Sequence, residues 1–179
     1  MRVPIIMLTI LLLPKVQVVY GQKLMSIESE ISFFSSAPIE DISAINSQAK
    51  SAVDLETRQI VFSVPIKDFE FAKSLMKEHF NEKYMESDRF PNAIFNGTFS
   101  KSNEENDVAW AEGTLEIHGV KKKIKVPGKL ILEDTTANLT CNFKVLLEDY
   151  NIKIPKLLFQ NIAEEIEITI RFDYELFKE

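Results

Sequence analysis

The chain has only one cysteine and two histidines among its 179 residues. Cys141 has no second cysteine with which to form an intramolecular disulfide, so the fold must depend on its apolar core. Its place on the apolar side of a predicted strand favours a small buried hydrophobe over a reactive thiol. His79 and His118 form no HxxxH or HxH pair, so a zinc site would need distant carboxylates to converge. We therefore predict no metal site.

The motifs of common enzymes are also missing. No serine lies in a GxSxG turn, and the sequence contains neither a GxGxxG motif nor a P-loop. We expect His79 to pack on the apolar side of a helix and His118 to hold a turn. We predict no catalytic residue, no cofactor and no enzymatic activity. The opposing hypothesis is an enzyme acting on an apolar substrate, with one histidine opening on a cavity beside a carboxylate.

Residues 1–21 differ from the rest of the chain. Arg2 precedes an apolar run at 5–13, and small or permissive residues follow, a pattern typical of a secretory signal peptide. The run is short for a membrane span. We expect cleavage after Gly21, a mature domain over residues 22–179, and a periplasmic or secreted protein; a retained membrane anchor is the alternative.

Positive charge is scarce in the predicted mature chain. Removal of Arg2 and Lys15 lowers the basic side chains from 21 to 19 against 27 acidic ones, a net charge of −8. An acidic protein repels phosphate backbones, so we predict no nucleic-acid partner. The lysines at 121–125 are a local exception. They fit a solvated hairpin edge, or alternatively an electropositive rim that meets an anionic lipid headgroup.

The most informative stretch is 107–132. It alternates with period two on both sides of a tight turn, His118-Gly119-Val120-Lys121, which predicts a β-hairpin. The apolar face of its first strand begins with the small residues Ala109, Ala111 and Gly113. In a closed barrel such a face leaves volume unfilled. This favours an apolar cavity, and hence a binding protein.

The remaining chain predicts about eight antiparallel strands and one helix. A first strand at 23–34 should place Met25, Ile27, Ile31 and Phe33 on one face, and a last strand should cover 165–176. Ile39, Ile42, Ile45 and Ala49 approximate helical spacing, whereas Ile42 and Ala44 also suit a short strand; we expect an irregular turn or short helix there. A helix at 70–86 should carry an apolar stripe that seals a barrel mouth. The stripe comprises Phe69, Leu75, Met76, His79, Phe80 and Tyr84. The fold class is thus mainly β: a closed antiparallel barrel with a helical insertion.

Several stretches in the same order resemble the YceI-like family, in the form found in many marine and soil Bacteroidota. They are SFFSSAPIEDISA (32–44), VFSVPIKDFEFAKSLMKEHFNEKYMESDRFPNAIFNG (61–97), GTLEIHGVKKKIKVP (113–127), LLEDYNIKIP (146–155) and Asn161-Ile162-Ala163. The resemblance implies an extended, lipocalin-like eight-stranded barrel. Its tunnel would hold a polyisoprenoid or an isoprenoid-quinone-like lipid, which the protein sequesters or carries. The helix and the connector at 149–159 would be candidate gates.

Strand parity supplies the candidate pocket-lining residues. They are Phe33, Phe62, Phe95, Phe99, Ala109, Ala111, Leu115, Ile117, Phe143, Ile168 and Phe172. A register error of one residue would turn any such set outward. The partners expected are a long-chain apolar lipid, a membrane surface in transient contact, and a second copy of the chain in a homodimer. The competing hypothesis is a non-enzymatic envelope protein with a packed barrel, for which the apolar run at 156–159 would be a docking patch.

Overall fold

The computed structural model describes residues 23–36, 41–100, 108–153 and 163–177. Ten strands form one antiparallel sheet. They are β1 (Lys23–Ser35), β2 (Ile42–Asn46), β3 (Lys50–Asp54), β4 (Gln59–Pro65), β5 (Glu70–Phe71), β6 (Asn92–Phe99), β7 (Val108–Ile117), β8 (Val120–Leu132), β9 (Thr136–Leu146) and β10 (Glu165–Leu176). Within these ranges, no helix is long and apolar enough to cross a membrane.

Eight of the strands close into a barrel. Going round, the order is β1, β3, β4, β6, β7, β8, β9 and β10, and β10 pairs back onto β1. The short strands β2 and β5 extend the sheet beside the second half of β1, where Phe34 pairs with Ser43. Closure satisfies the backbone groups that an open edge would leave unpaired. The predicted eight-stranded antiparallel barrel is confirmed.

The α-helix in the predicted region is much shorter than expected. The helix α1 spans Ser74–His79, and a π-helical turn continues it over Phe80–Tyr84. Residues Glu70 and Phe71 instead pair with β2. Leu75, in the first turn of the helix, is 60% exposed and lines neither cavity described below. The prediction of a helix over 70–86 was therefore wrong at its start and at Leu75.

A β-bulge near Ile27 changes which side of β1 faces inward. The pairing with β10 shifts register between Ser26 and Glu28. Leu24 is consequently buried, whereas Met25 and Ile27 are exposed, and the predicted inward face holds only from Ile31 onward. An extra residue in one strand moves all residues before it to the opposite face.

The segment predicted as a turn or short helix forms β2. Ile42 and Ala44 are buried, and Ile45, the next residue after Ala44, is exposed, as strand parity requires. The amide of Asn46 donates from Nδ2 to the carbonyl oxygen of Pro65 at 2.7 Å. Its Oδ1 accepts from the backbone nitrogen of Gln48 at 2.8 Å. These bonds hold the β2–β3 turn against the end of β4.

The β7–β8 hairpin is present as predicted, but its turn has two residues rather than the predicted four, because Val120 and Lys121 already belong to β8. His118 and Gly119 both have positive φ, 52° and 72°, as a type I′ turn requires. A Cβ atom at Gly119 would also lie 2.5 Å from the Phe90 ring. The inward faces of both strands agree with the alternation, except that Leu132 is 54% exposed at the strand end.

Candidate functional site

The barrel encloses two adjoining cavities, which we call the wide lobe and the narrow lobe. Their volumes are about 170 Å³ and about 80 Å³. Both are bordered by Ile31, Val64, Ala93, Leu115, Phe143 and Ile170. The two lobes therefore adjoin at these six residues and follow one another along the barrel.

The wide lobe lies at the end of the barrel where β2, β5 and α1 cover it. Phe33 is central to this cover, because its ring stacks on Phe80 at 5.5 Å and contacts Phe69 and Phe71 at 5.5 and 5.8 Å. Met76, Phe80 and Tyr84 recur every four residues along α1 and the π-helical turn, which brings all three to the lobe. The predicted stripe thus covers the barrel end through these residues.

The wide lobe is apolar over its whole surface. Its polar lining residues are uncharged: Ser32, Ser35, Tyr84 and Tyr150. Ser35 Oγ already accepts from the backbone nitrogen of Ala163 at 2.9 Å. Burial raises the pKa of both tyrosines, and the negative charge of Asp149 raises that of Tyr150 further. Both phenols therefore stay neutral well above physiological pH.

The narrow lobe lies between two unlike walls. Phe62 and Phe95 form one wall, and small residues of β7, β8 and β9, namely Ala109, Ala111, Gly128 and Cys141, belong to the other. Burial raises the pKa of the Cys141 thiol to about 11, and its Sγ donates to the carbonyl oxygen of Pro127 at 3.2 Å. Cys141 is therefore a protonated, unreactive part of the wall.

Beside the narrow lobe, four aromatic side chains form a continuous row across the barrel, which we call the ring row. It runs from Phe95 to Phe62, Phe172 and Tyr174, with centroid separations of 5.6, 5.2 and 5.8 Å. Tyr174 has no exposed surface, and its hydroxyl lies 2.7 Å from Ser51 Oγ. Phe172 and Tyr174 border neither lobe. This half of the barrel is packed.

Gly113 does not leave the empty volume that its sequence position suggested. It pairs with Gly97 across β6 and β7. A Cβ atom on either glycine would lie within 2.8 Å of the tip of the Phe95 ring. The glycines thus allow close approach of two strands beneath an aromatic ring. The open volume lies beside Ala109 and Ala111, and the expectation for Gly113 was wrong.

The candidate residues chosen by strand parity all lie inside the barrel. The wide lobe is lined by Phe33, Leu115, Ile117, Phe143 and Ile168, and the narrow lobe by Phe62, Phe95, Phe99, Ala109, Ala111, Leu115 and Phe143. Phe172 lies outside both lobes and packs in the ring row. That these residues contact a ligand stays a prediction.

Sequence alternation missed the lining residues that lie outside long strands. Met85 follows the π-helical turn, and Tyr150 and Ile152 lie at or just after the 3₁₀ turn Glu148–Tyr150. Neither the helical period of 3.6 residues nor the strand period of two applies in these segments. The apolar pair Tyr150 and Ile152 between charged residues was the available signal. The predicted connector at 149–163 lies largely outside the described residues, as do its apolar run and the signal peptide.

His118 holds the wide end of the barrel together. Its Nδ1 lies 3.2 Å from the carbonyl oxygen of Tyr150, and its ring packs 4.5 Å from the Phe90 ring. Nε2 lies 3.3 Å from Glu86 Oε1, within ion-pair distance but off the direction of a hydrogen bond. Neither His118 nor His79 lines a lobe. Among the described residues, no three His, Cys, Asp or Glu side chains are grouped to hold a metal ion.

The lysines after the hairpin turn are largely neutralised. Lys121 lies 3.5 Å from Glu116, Lys122 lies 2.7 Å from Asp149, and Lys125 lies 3.9 Å from Glu112. Paired charges of this kind on a solvated strand face produce little net potential. The structure therefore favours the solvated edge over the electropositive rim.

Solved structures with this architecture come from several bacteria. The BcnA protein of Burkholderia cenocepacia superposes with a TM-score of 0.71 at 13% identity, covering 81% of this chain and 95% of its own. A polyisoprenoid-binding domain from Saccharophagus degradans gives 0.72 at 12% identity, covering 88% and 100%. The YceI protein of Campylobacter jejuni gives 0.57 at 13% identity, covering both chains fully. No curated protein matches the chain by sequence.

The family model for the YceI-like domain matches residues 24–174. This span includes every strand of the closed barrel except the first residue of β1 and the last two of β10. Assignment to the Bacteroidota-type branch stays a prediction. The chain belongs to the YceI-like family.

Proposed function

We propose that this protein binds a long apolar lipid, of the polyisoprenoid or isoprenoid-quinone class, and sequesters or carries it inside the barrel. The observation that carries the proposal is the apolar interior space formed by the two lobes. Burial of each CH₂ group there contributes about 0.8 kcal/mol, so a chain of many such groups needs no polar anchor. The polyisoprenoid-binding domain of similar fold supports this class of ligand.

A binding role also agrees better with the histidines than catalysis does. An enzyme would need a base that opens on the ligand space, whereas His118 is committed to Tyr150 and Phe90 outside the lobes. The family assignment supports binding as well. We therefore propose a carrier without enzymatic activity.

Native mass spectrometry of the protein from its own envelope, followed by lipid extraction, tests the proposal directly. We expect a bound lipid with an isoprenoid or other long chain. A clean apo mass that does not change after incubation with quinones and polyprenyl phosphates would instead support the hypothesis of an envelope interaction protein.

Two neighbouring residues of β6 provide a matched pair for the same assay. Ala93 borders both lobes, whereas Ile94 faces outward and is 39% exposed. Ala93→Phe should remove the bound lipid by filling the junction of the lobes, and Ile94→Phe should retain it. Circular dichroism would verify that both variants fold. Equal lipid content in the two variants would place the ligand outside the barrel.

We further propose that the protein acts in the periplasm or outside the cell, on the pattern of residues 1–21. Determination of the N-terminus of the mature protein tests this, with Gln22 as the expected first residue. An intact Met1 in a cytoplasmic fraction would overturn it.

A further inference from the structure

We infer that the barrel selects its ligand by length, accepting one chain of about four isoprene units and excluding much longer chains. This inference rests on the proposed function and adds to it the length of the ligand's isoprenoid tail. It derives from where the interior space ends, how narrow it is there, and which residues form that end.

The length of the space follows from the strands that border it. Along β7 it extends from Ile117 at the wide lobe to Ala109 at the narrow lobe, and along β9 from Leu139 to Leu147, the residue that follows the strand. Each path covers eight residue steps, or about 27 Å along a strand. A strand tilt of about 40° reduces this to about 20 Å along the barrel axis.

A tail of that length corresponds to a short isoprenoid. Half of a bilayer's hydrocarbon core, about 15 Å, holds one acyl chain of ordinary length. A space of about 20 Å thus holds slightly more than one such chain, which is on the order of four isoprene units. The volume of about 80 Å³ in the narrow lobe leaves room for one tail there.

The far end of the space is closed by packed residues on the side of β9 and β10. Next to Leu139 on β9 comes Ala137, which pairs with Tyr174. Ala137 is 4% exposed and Tyr174 is fully buried. On the side of β9 and β10 the ring row thus occupies the volume beyond the narrow lobe.

The width of the narrow lobe depends on two of its lining residues, Phe62 of β4 and Ala111 of β7. A larger side chain at position 111 would fill the lobe from the small-residue side. A smaller side chain at position 62 would open the ring row. The two changes should shift the length limit in opposite directions.

Prenyl alcohols of increasing length, namely geraniol, farnesol, geranylgeraniol and solanesol, test the inference on the mature protein. Each would be supplied in detergent micelles, with binding followed by native mass spectrometry and by the shift in Tm. For the wild type we expect binding to strengthen up to geranylgeraniol and to fall at least tenfold for solanesol. Equal or tighter binding of solanesol would overturn the length limit.

Two variants test whether Ala111 and Phe62 set the length limit of the ligand. Ala111→Leu should weaken geranylgeraniol at least tenfold while farnesol or geraniol still binds, and Phe62→Leu should improve solanesol. Ala52→Leu is the matched control, because Ala52 pairs with the exposed Met25 and Val61 on the outer face. An unchanged order of preference in both lobe variants would overturn the inference alone. Failure of the wild type to bind any alcohol or extracted lipid would overturn the proposed function with it.

Discussion

The two ends of this barrel are built from the same kinds of residue and differ in packing. At one end, aromatic side chains surround empty volume and form a cover. At the other, Phe172 and Tyr174 are almost fully buried and leave no space between them. The comparison shows that apolar composition alone does not determine whether a barrel is hollow. The positions of rings relative to small residues determine it.

The largest contrast should appear when one ring is removed from the packed ring row and one from the lining of the lobes. Phe172→Ala removes a fully buried ring from the ring row and should cost about 3–5 kcal/mol of unfolding free energy. Phe143→Ala removes a half-buried ring that already borders both lobes, and should cost no more than about 2 kcal/mol. Urea denaturation of the apo protein would measure both. Equal losses of unfolding free energy in the two variants would mean that side chains pack into the lobes in solution and leave no empty volume.

A pair of glycines should show a smaller contrast of the same kind. A Cβ atom at Gly113 would lie 2.5 Å from the carbonyl oxygen of Asn96, whereas at Gly128 its nearest neighbour would be 3.2 Å away. Gly113→Ala should therefore destabilise the barrel by about 1–3 kcal/mol. Gly128→Ala should remain within about 1 kcal/mol of the wild type. The midpoint of urea unfolding would separate the two, and a tolerated Gly113→Ala would contradict the close approach of β6 and β7.

The buried hydroxyl pair at the packed end should have a more modest effect. Tyr174→Phe leaves Ser51 without its hydroxyl partner and should cost about 1–2 kcal/mol. Addition of Ser51→Ala should recover part of this loss, because neither partner then stays unpaired. A double-mutant cycle on unfolding free energies would measure the coupling. Strictly additive losses would contradict a hydrogen bond that matters for stability.

The smallest effect concerns the reactivity of the Cys141 thiol, which lines the narrow lobe. Since burial raises the Cys141 pKa to about 11, iodoacetamide should modify the native protein slowly at pH 7 and faster as pH rises toward that value. A lipid in the narrow lobe should slow the reaction further, because Cys141 lines that lobe. Mass spectrometry of the alkylated protein would follow the rate, with the urea-unfolded chain as control. Rapid labelling of the native protein at pH 7 would contradict the burial.

Long strands with regular alternation were predictable from sequence. The last strand occupies the predicted range Glu165–Leu176, and its face from Ile166 to Tyr174 points inward throughout. The hairpin turn at His118 was equally clear, because only a few residue types accept positive φ at two successive positions. These features depend on local chemistry, which a sequence displays directly.

Features that depend on distant partners were not predictable. The bulge at Ile27 arises from pairing with β10, and the Phe95 ring over Gly113 belongs to a neighbouring strand. The spacing of Ile42 and Ile45 suits a helix, that of Ile42 and Ala44 suits a strand, and pairing with β1 decides between them. In each case the deciding contact lies far away in the chain, where periodicity carries no information.

The bulge in β1 has a consequence for how this chain tolerates change. Deletion of Ile27 would exchange the inner and outer faces of one half of the strand, bringing Leu24 to solvent or Ile31 out of the lobe wall. A substitution at the same place alters one exposed side chain. Chains of this fold should therefore tolerate many substitutions. They should tolerate poorly an insertion or deletion within a strand, because it would exchange the inward and outward faces. Neighbours with the same architecture at 12 to 14% identity are what such a rule produces.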